Sequence, residues 1–282
     1  MKTYTPIDIS LLHRDDVLKI ISTEKESSPL GFFSKPFRVQ LQGKENILKV
    51  YTTIQRVKNI VQYKHDTYKD ALQKIGIRIP HTQAILMNDK KKPIFVIVQE
   101  PFEEEELVRG ILQRCEKEKI IALIHLLFED VIRFWKNKPN DQPLGFHPTL
   151  RNYAIREQEL YYVDTFPPMN FTQEELNRFI LHVAPLPRFI TFFIPEKSIN
   201  RVTDEYYSVE NMIIGLIGST CRLRPEHADE ILAYSKTYIS QCSLNKEEKE
   251  NLLRELTSPP RLSLLWRMVR KITGNVGMPN VK

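Results

Sequence analysis

Lys49 stands in the middle of an otherwise apolar run, Ile47-Leu48-Lys49-Val50-Tyr51. An ammonium buried without a partner is costly, so this one has to reach something polar. Two destinations are open: solvent on the outer side of a pleated strand, or a phosphate beneath the roof of a cleft. The second chemistry-bearing stretch is residues 144–169, LGFHPTLRNYAIREQELYYVDTFPPM. Within it Asn152 follows a loop, and Asp164 ends a strand twelve residues later. An amide oxygen and a carboxylate brought together at two strand ends form a hard, oxygen-rich site suited to Mg²⁺. Taken singly, the same residues serve equally well as a turn-forming Asn and an Asp capping a loop. Their order along the chain, Lys49 then Asn152 then Asp164, is what gives them weight.

The elements that must position these residues follow from periodicity. Residues 1–26 read as a polar segment with a short helix at Leu11–Ser22. Phe37–Leu41 alternates as a strand, Gly43-Lys44-Glu45-Asn46 supplies a turn, and Ile47–Tyr51 is the returning strand. Val57, Ile60, Val61, Tyr68, Leu72 and Ile75 recur at helical intervals over 56–75, with Gly76 as the C-cap and Pro80 as a stop. Strands at Gln83–Met87 and Pro93–Val98 flank a polar hairpin tip at Asn88–Lys92. The first hundred residues therefore spell β-β-α-β-β. A helical region opens at Glu103–Glu106, and Lys119–Trp135 is a strongly apolar helix. Asn152–Ile155 and Leu160–Val163 form two short strands around Glu157-Gln158. Thr172 and Glu175 make a capping box for a further helix. Ser208–Gly218, Pro225–Ser240, Lys246–Leu256 and Leu262–Ile272 continue the helical pattern. The expectation is an α+β chain with a β-rich N-terminal lobe over 1–100 and a helical C-terminal lobe over 101–282. The connector lies near Glu100–Phe102, and the helical lobe carries the 144–169 segment.

Composition narrows the class. Hydrophobic residues are 41% and charged residues 27% of 282, ordinary for a globular chain with a sizeable core. No apolar run is long enough for a membrane helix, and the first residues, MKTYTPIDISLLHRDD, lack a signal core. The expected location is cytoplasmic. Cys115, Cys221 and Cys242 are scattered, without the spacing of a zinc site or a disulfide framework. A net charge of +6 gives no specific nucleic-acid signal. Arg261, Arg267, Arg270, Lys271 and Lys282 form a basic C-terminal segment, open to reading as a solvated face or an anionic contact surface. His125 reads as a packing histidine in its apolar helix. Glu103–Glu106 reads as a solvated helix start, or as an attractor for a cationic acceptor.

Taken in order, these residues resemble the protein-kinase-like superfamily, particularly its small-molecule phosphotransferases of the aminoglycoside and choline kinase type. The resemblance covers roughly residues 28–240. It implies a two-lobed kinase-like fold, small antiparallel-sheet lobe first, with ATP or another NTP and Mg²⁺ as cofactors. Lys49 resembles the strand lysine that pairs the α- and β-phosphates. Asp66 stands where a helix carboxylate would steady that lysine, with His65 or Asp70 as substitutes a small shift away. Gln99, Glu100 and Phe102, in Val98–Phe102, resemble the hinge that meets an adenine. Asn152 and Asp164 resemble the two metal-binding residues, although the D-F-G triplet here reads Asp164-Thr165-Phe166. Gly31 is the one glycine between Leu30 and Val39, where a glycine-rich phosphate cover would be; Ser34 could add a hydroxyl.

Five residues before Asn152, where the family's catalytic Asp is expected, this chain has His147, and the motif's own His is Gly145. A neutral imidazole near pKa 6.5 (roughly, unperturbed) can accept a hydroxyl proton. The same substitution equally fits a chain that binds nucleotide and no longer transfers phosphate. The leading expectation is an ATP- and Mg²⁺-dependent phosphotransferase for a small hydroxylated acceptor, with His147 as proton acceptor. The alternative is a pseudokinase, a nucleotide-binding or scaffolding module engaging a protein partner through the helical lobe. A third reading keeps the fold and transfers AMP instead. No Walker loop, G-x-S-x-G or H-E-x-x-H is present.

Overall fold

Gln42 and Gly43 both take positive φ, 50° and 71°, the left-handed pair that a two-residue hairpin turn requires. They join β1 (Pro36–Leu41) to β2 (Lys44–Tyr51), with Leu41 opposite Lys44. The turn is thus earlier and tighter than expected, and Lys44, Glu45 and Asn46 already belong to β2. The structure is a computed structural model that describes residues 4–27, 33–88, 92–184 and 196–260. The chain is α+β, with a small antiparallel sheet and a larger helical part.

Two compact units divide the described residues. The first draws on Met1–Gln73, Ile79–Phe102 and Thr165–Thr203, the second on Lys74–Arg78, Glu103–Asp164 and Asp204–Lys282. Thr165–Thr203 groups with the sheet in the first unit.

In the first unit, β3 (Thr82–Met87) and β4 (Ile94–Gln99) complete a four-stranded sheet in the order β1-β2-β4-β3, antiparallel throughout. The β-β-α-β-β order is as the alternation and periodicity predict. Leu48, Val50, Ile94, Val96 and Val98 project to one face, where they pack with Ile7, Phe37, Val39 and Val17 of helix α1 (Arg14–Thr23). Tyr51 and Phe95, paired across β2 and β4, project to the other. Helix α2 (Val61–Lys74) lies on that second face, its Gln62 accepting from the Leu86 N–H at 3.0 Å. Phe95 meets His65 of α2 with ring centroids 5.5 Å apart. The helical spacing begins before the helix does: residues 56–60 are turns, with the Ile60 N–H on the Val57 carbonyl at 3.0 Å. Gly76 has φ 91°, the left-handed conformation that ends helices and that glycine alone takes without cost. Helix α5 (Gln173–Val183) also belongs here, and its Thr172/Glu175 capping box forms as its sequence requires.

The second unit is built around α4 (Lys117–Asn137), longer at both ends than its apolar run. Ile120, Leu123, Ile124, Leu127, Val131 and Phe134 recur at helical spacing and are buried. The acidic run before it is a single 3-10 turn, Glu104–Glu106, leading into α3 (Val108–Arg114). A two-stranded hairpin follows, β5 (Tyr153–Arg156) and β6 (Glu159–Tyr162). Each strand starts or stops one residue from its expected limit. Glu157 and Gln158 form the turn, with φ 53° and 66°. After α6 (Glu196–Tyr207), helices α7 (Val209–Leu223), α8 (Ala228–Gln241) and α9 (Lys246–Glu255) complete the bundle. Pro225–His227 is a 3-10 turn and not the first turn of α8. Among the described residues no helix is long and apolar enough to cross a membrane. The expected helix at Leu262–Ile272, the basic C-terminal segment, the tip at residues 89–91 and Gly31 lie outside the described residues.

Candidate functional site

The candidate residues fall in different units, and each is described within its own. In the first, β2 alternation assigns Lys49 to the face that carries α2, opposite Ile97 across the strand pair, while Leu48 and Val50 enter the α1 core. The side chain is half-buried, so the solvent-side reading of the sequence is not where the strand puts it. The ammonium is near enough to His65 to act on its basicity. Beneath the hairpin roof, Ser34 Oγ accepts from the Val50 N–H at 2.9 Å.

On α2, His65 is buried and the adjacent Asp66 half-buried. His65 is 0% exposed, and its Nδ1 lies 3.2 Å from Asp66 Oδ1. Burial drives the imidazole well below its ordinary pKa; Asp66 opposes this, and the charges of Lys69 and Lys49 add to it. His65 Nε2 lies 2.9 Å from Thr165 Oγ1. Thr165 is followed by Phe166, whose ring stacks on Tyr51 at 3.9 Å and meets Phe95 at 5.9 Å and Phe179 at 5.9 Å. The Thr165-Phe166 pair is therefore clamped between the sheet, α2 and α5.

The hinge-like residues are largely engaged within the first unit. Gln99 is buried and donates to Thr82 Oγ1 at 3.1 Å. The Glu100 N–H donates to the His81 carbonyl at 2.9 Å. Pro101 has no N–H to offer. Arg38, paired with Glu45 at 2.6 Å, donates to the Phe102 carbonyl.

In the second unit, Asn152 closes a 3-10 turn, Leu150–Asn152, and is buried. Its Nδ2 donates to the His147 carbonyl at 3.0 Å, and its N–H to Thr149 at 2.8 Å. That first bond fixes the amide orientation and turns Oδ1, the atom a hard cation takes, away from the carbonyl. The Val163 N–H donates to the Asn152 carbonyl at 2.9 Å, extending the hairpin ladder by one pair. Asp164 therefore lies at the hairpin base beside Asn152, two residues past the end of β6 and not at its terminus. Asn152 is buried and Asp164 half-buried.

His147 belongs to the same knot. Its ring packs against Tyr206 with centroids 4.5 Å apart. Burial, with the nearby charge of Arg151, pushes its pKa down to about 3. The imidazole is therefore neutral at physiological pH and a weak base, which corrects the expectation of a near-neutral pKa. Burial also raises the Tyr206 phenol, within reach of the charges of Glu205, Arg151 and Asp164. Gly145 has no space for a side chain: a Cβ would stand 3.0 Å from Tyr207 and 3.1 Å from the Tyr206 carbonyl. The Phe146 N–H donates to that carbonyl at 2.8 Å. Close approach of α6 leaves little room for a side chain at Gly145.

Two participants, Thr165 and Arg151, carry no reading of their own in the sequence; Tyr206, beside Tyr207, reads as a packing residue and is buried. Only Arg151 had a local signal, as the neighbour of Asn152. Glu106 is committed to Arg156 through bonds of 2.6 and 3.0 Å, while Glu103, Glu104 and Glu105 are exposed. His125, exposed on α4, is a hydrogen-bonded packing histidine: its Nδ1 lies 2.7 Å from Tyr234 Oη and its ring 5.5 Å from that of Tyr238. Among the described residues, no group of three or more His, Cys, Asp or Glu is arranged to hold a metal.

A family model described as "Family of unknown function (DUF6206)" matches residues 18–277. No curated protein matches the chain.

Proposed function

Since the chain belongs to the DUF6206 family, whose function is unknown, its activity has to be read from its own side chains. We propose an ATP- and Mg²⁺-dependent transfer of phosphate to a small hydroxylated molecule, on a kinase-like fold. The observation that carries it is the Asn152–Asp164 hairpin base, in which one hydrogen bond to His147 directs the amide. Lys49, on the α2 side of the sheet, would orient the phosphates, and Asp66 would steady it through the His65 ring. Gln99, Glu100 and Phe102 would border the base, and Asn152 and Asp164 would hold the cation. A bound Mg²⁺ supplies neutralisation of phosphate charge. Positioning and charge dominate this chemistry, so a weak base at His147 slows the reaction without forbidding it.

A second reading has its own observation. An imidazole held near pKa 3 beside Arg151 is poorly suited to accept a hydroxyl proton. On that reading the chain binds nucleotide and does not transfer phosphate.

Thermal stability with ATP, with and without Mg²⁺, tests the shared part, because a ligand stabilises the fold that binds it. A Mg²⁺-dependent rise in wild type that disappears in Asp164→Ala is expected. No rise with any nucleotide overturns both readings. Phosphotransfer by wild type and by His147→Asp then separates them. Turnover in wild type supports the enzyme, and turnover only in the variant supports a binding module.

A further inference from the structure

β3 ends the sheet order β1-β2-β4-β3, so one of its edges meets β4 and the other meets no strand among the described residues. In an antiparallel strand, alternate residues turn their N–H and C=O to the same edge. The Glu100 N–H on the His81 carbonyl, at 2.9 Å, sets the odd-numbered residues toward β4. Thr82, Ala84 and Leu86 therefore face the outer edge. A row of unpaired backbone groups there is a template for another strand.

The two outer strands meet this hazard differently. β1 opens on Pro36, whose carbonyl accepts from the Ser27 N–H at 2.8 Å, and Phe37 is bridged by Glu26. β3 reads TQAILM, with no charge, no proline and no glycine, a composition that pairs readily when its edge is open. Its guard comes from α2. Gln62 accepts from the Leu86 N–H at 3.0 Å and donates from Nε2 to the Ala84 carbonyl at 3.3 Å. One side-chain amide thus makes the two bonds that a residue of an added parallel strand would make. Two helical turns on, Lys69 Nζ donates to the Thr82 carbonyl at 3.4 Å. Seven residues of helix rise about 10.5 Å, and the three residues of strand from Ile85 back to Thr82 span about 10 Å. The helix spacing matches the row of edge groups. We infer that Gln62 and Lys69 close the outer edge of the sheet in place of a further strand, and that without them β3 pairs with β3 of a second copy of this chain. A two-fold axis makes that contact self-complementary, one Thr82–Met87 against the other.

The test uses the full-length protein. Amide exchange at Leu86 in dilute protein, read by mass spectrometry with residue-level fragmentation, reports the guard. Sedimentation velocity over a range of concentrations reports its consequence. In Gln62→Ala the Leu86 amide is expected to exchange about tenfold faster or more, while amides of β2 and β4 keep their wild-type rates. Gln62→Ala/Lys69→Ala should sediment as a larger species than wild type at the same concentration. Adding Ala84→Pro should restore the wild-type size, because the Ala84 N–H faces outward and proline there costs the sheet no bond. Unchanged Leu86 exchange in Gln62→Ala overturns the guard. A double variant that sediments as wild type does, with Leu86 exchange accelerated, overturns its role against self-association. Association that persists with Ala84→Pro, or that comes with lost protection throughout the sheet, overturns pairing through β3.

Discussion

His65 Nε2 lies 2.9 Å from Thr165 Oγ1, so a wholly buried ring on α2 is bonded to the residue that directly follows Asp164. A neutral imidazole has one donor and one acceptor. With Nδ1–H directed at Asp66, Nε2 is the acceptor and the Thr165 hydroxyl the donor. Within the first unit the bond joins α2 to the start of the range Thr165–Thr203.

Thr165→Val removes that donor while keeping the side-chain shape. A buried acceptor left unsatisfied costs about 1–3 kcal/mol. Urea unfolding should show a loss of that size for Thr165→Val and a much smaller one for Thr165→Ser. Equal stability of wild type and the valine variant would remove the bond from the account.

Acid should destabilise the protein through its buried histidines. The folded-state pKa of His147 is about 3 and that of His65 is also lowered, against about 6.5 unfolded. The unfolded chain therefore binds more protons once pH falls below that value. Stability is fully present above it and is lost as pH drops toward the folded values. For His147 the loss is about 3 kcal/mol by pH 4. Chemical denaturation at several pH values should show a shallower acid decline in His147→Asn than in wild type.

Asp130 should act with the opposite sign. This carboxyl, buried in α4 and 2.6 Å from Arg133, has its pKa raised to about 6 by burial, against the pull of the arginine. The folded state holds the proton more tightly, so the contribution is greatest at low pH and is lost as pH rises through 6. Asp130→Asn is expected to gain about 1–2 kcal/mol at pH 7.5 and almost nothing at pH 4. A loss at pH 7.5 would mean that the ion pair outweighs the desolvation of its carboxylate.

The hairpin that carries Asn152 and Asp164 turns on two residues that lack glycine's freedom. Glu157 and Gln158 both sit at positive φ, 53° and 66°. Gln158→Gly should raise stability by about 0.5–1 kcal/mol by relieving one of them. The melting temperature reports this directly, and a decrease would contradict it.

Much of this architecture was legible because its causes are local. Strand alternation, the helical spacing of α4 and the Thr172/Glu175 box depend on residues a few positions apart. Residues 56–60 misled for the same reason, carrying the spacing of a helix while the chain there makes turns. The Gln42-Gly43 turn was displaced by two positions because Lys44–Asn46, polar as they are, pair well in a ladder. The spacing of His147 and Asn152 was readable as one loop. What closes that loop was not: Tyr206 and Tyr207 come from a helix some sixty residues on, and their approach is what leaves Gly145 bare. His65 and Thr165 are a hundred positions apart, and no periodicity marks either as the other's partner.

The ranges that make up the first unit have a consequence for how the protein is made. Its four strands are all synthesised by Gln99, yet the ring of Phe166, which packs on Tyr51 and Phe95, and that of Phe179, which packs on Phe166, belong to the later range Thr165–Thr203. At a translation rate of about 5–20 residues per second, the nascent sheet waits several seconds for them. Through that interval part of an aromatic face is open to other nascent chains and to holding chaperones. Translation speed between residues 100 and 166 therefore bears on the yield of folded protein, although few residues in that stretch belong to the sheet.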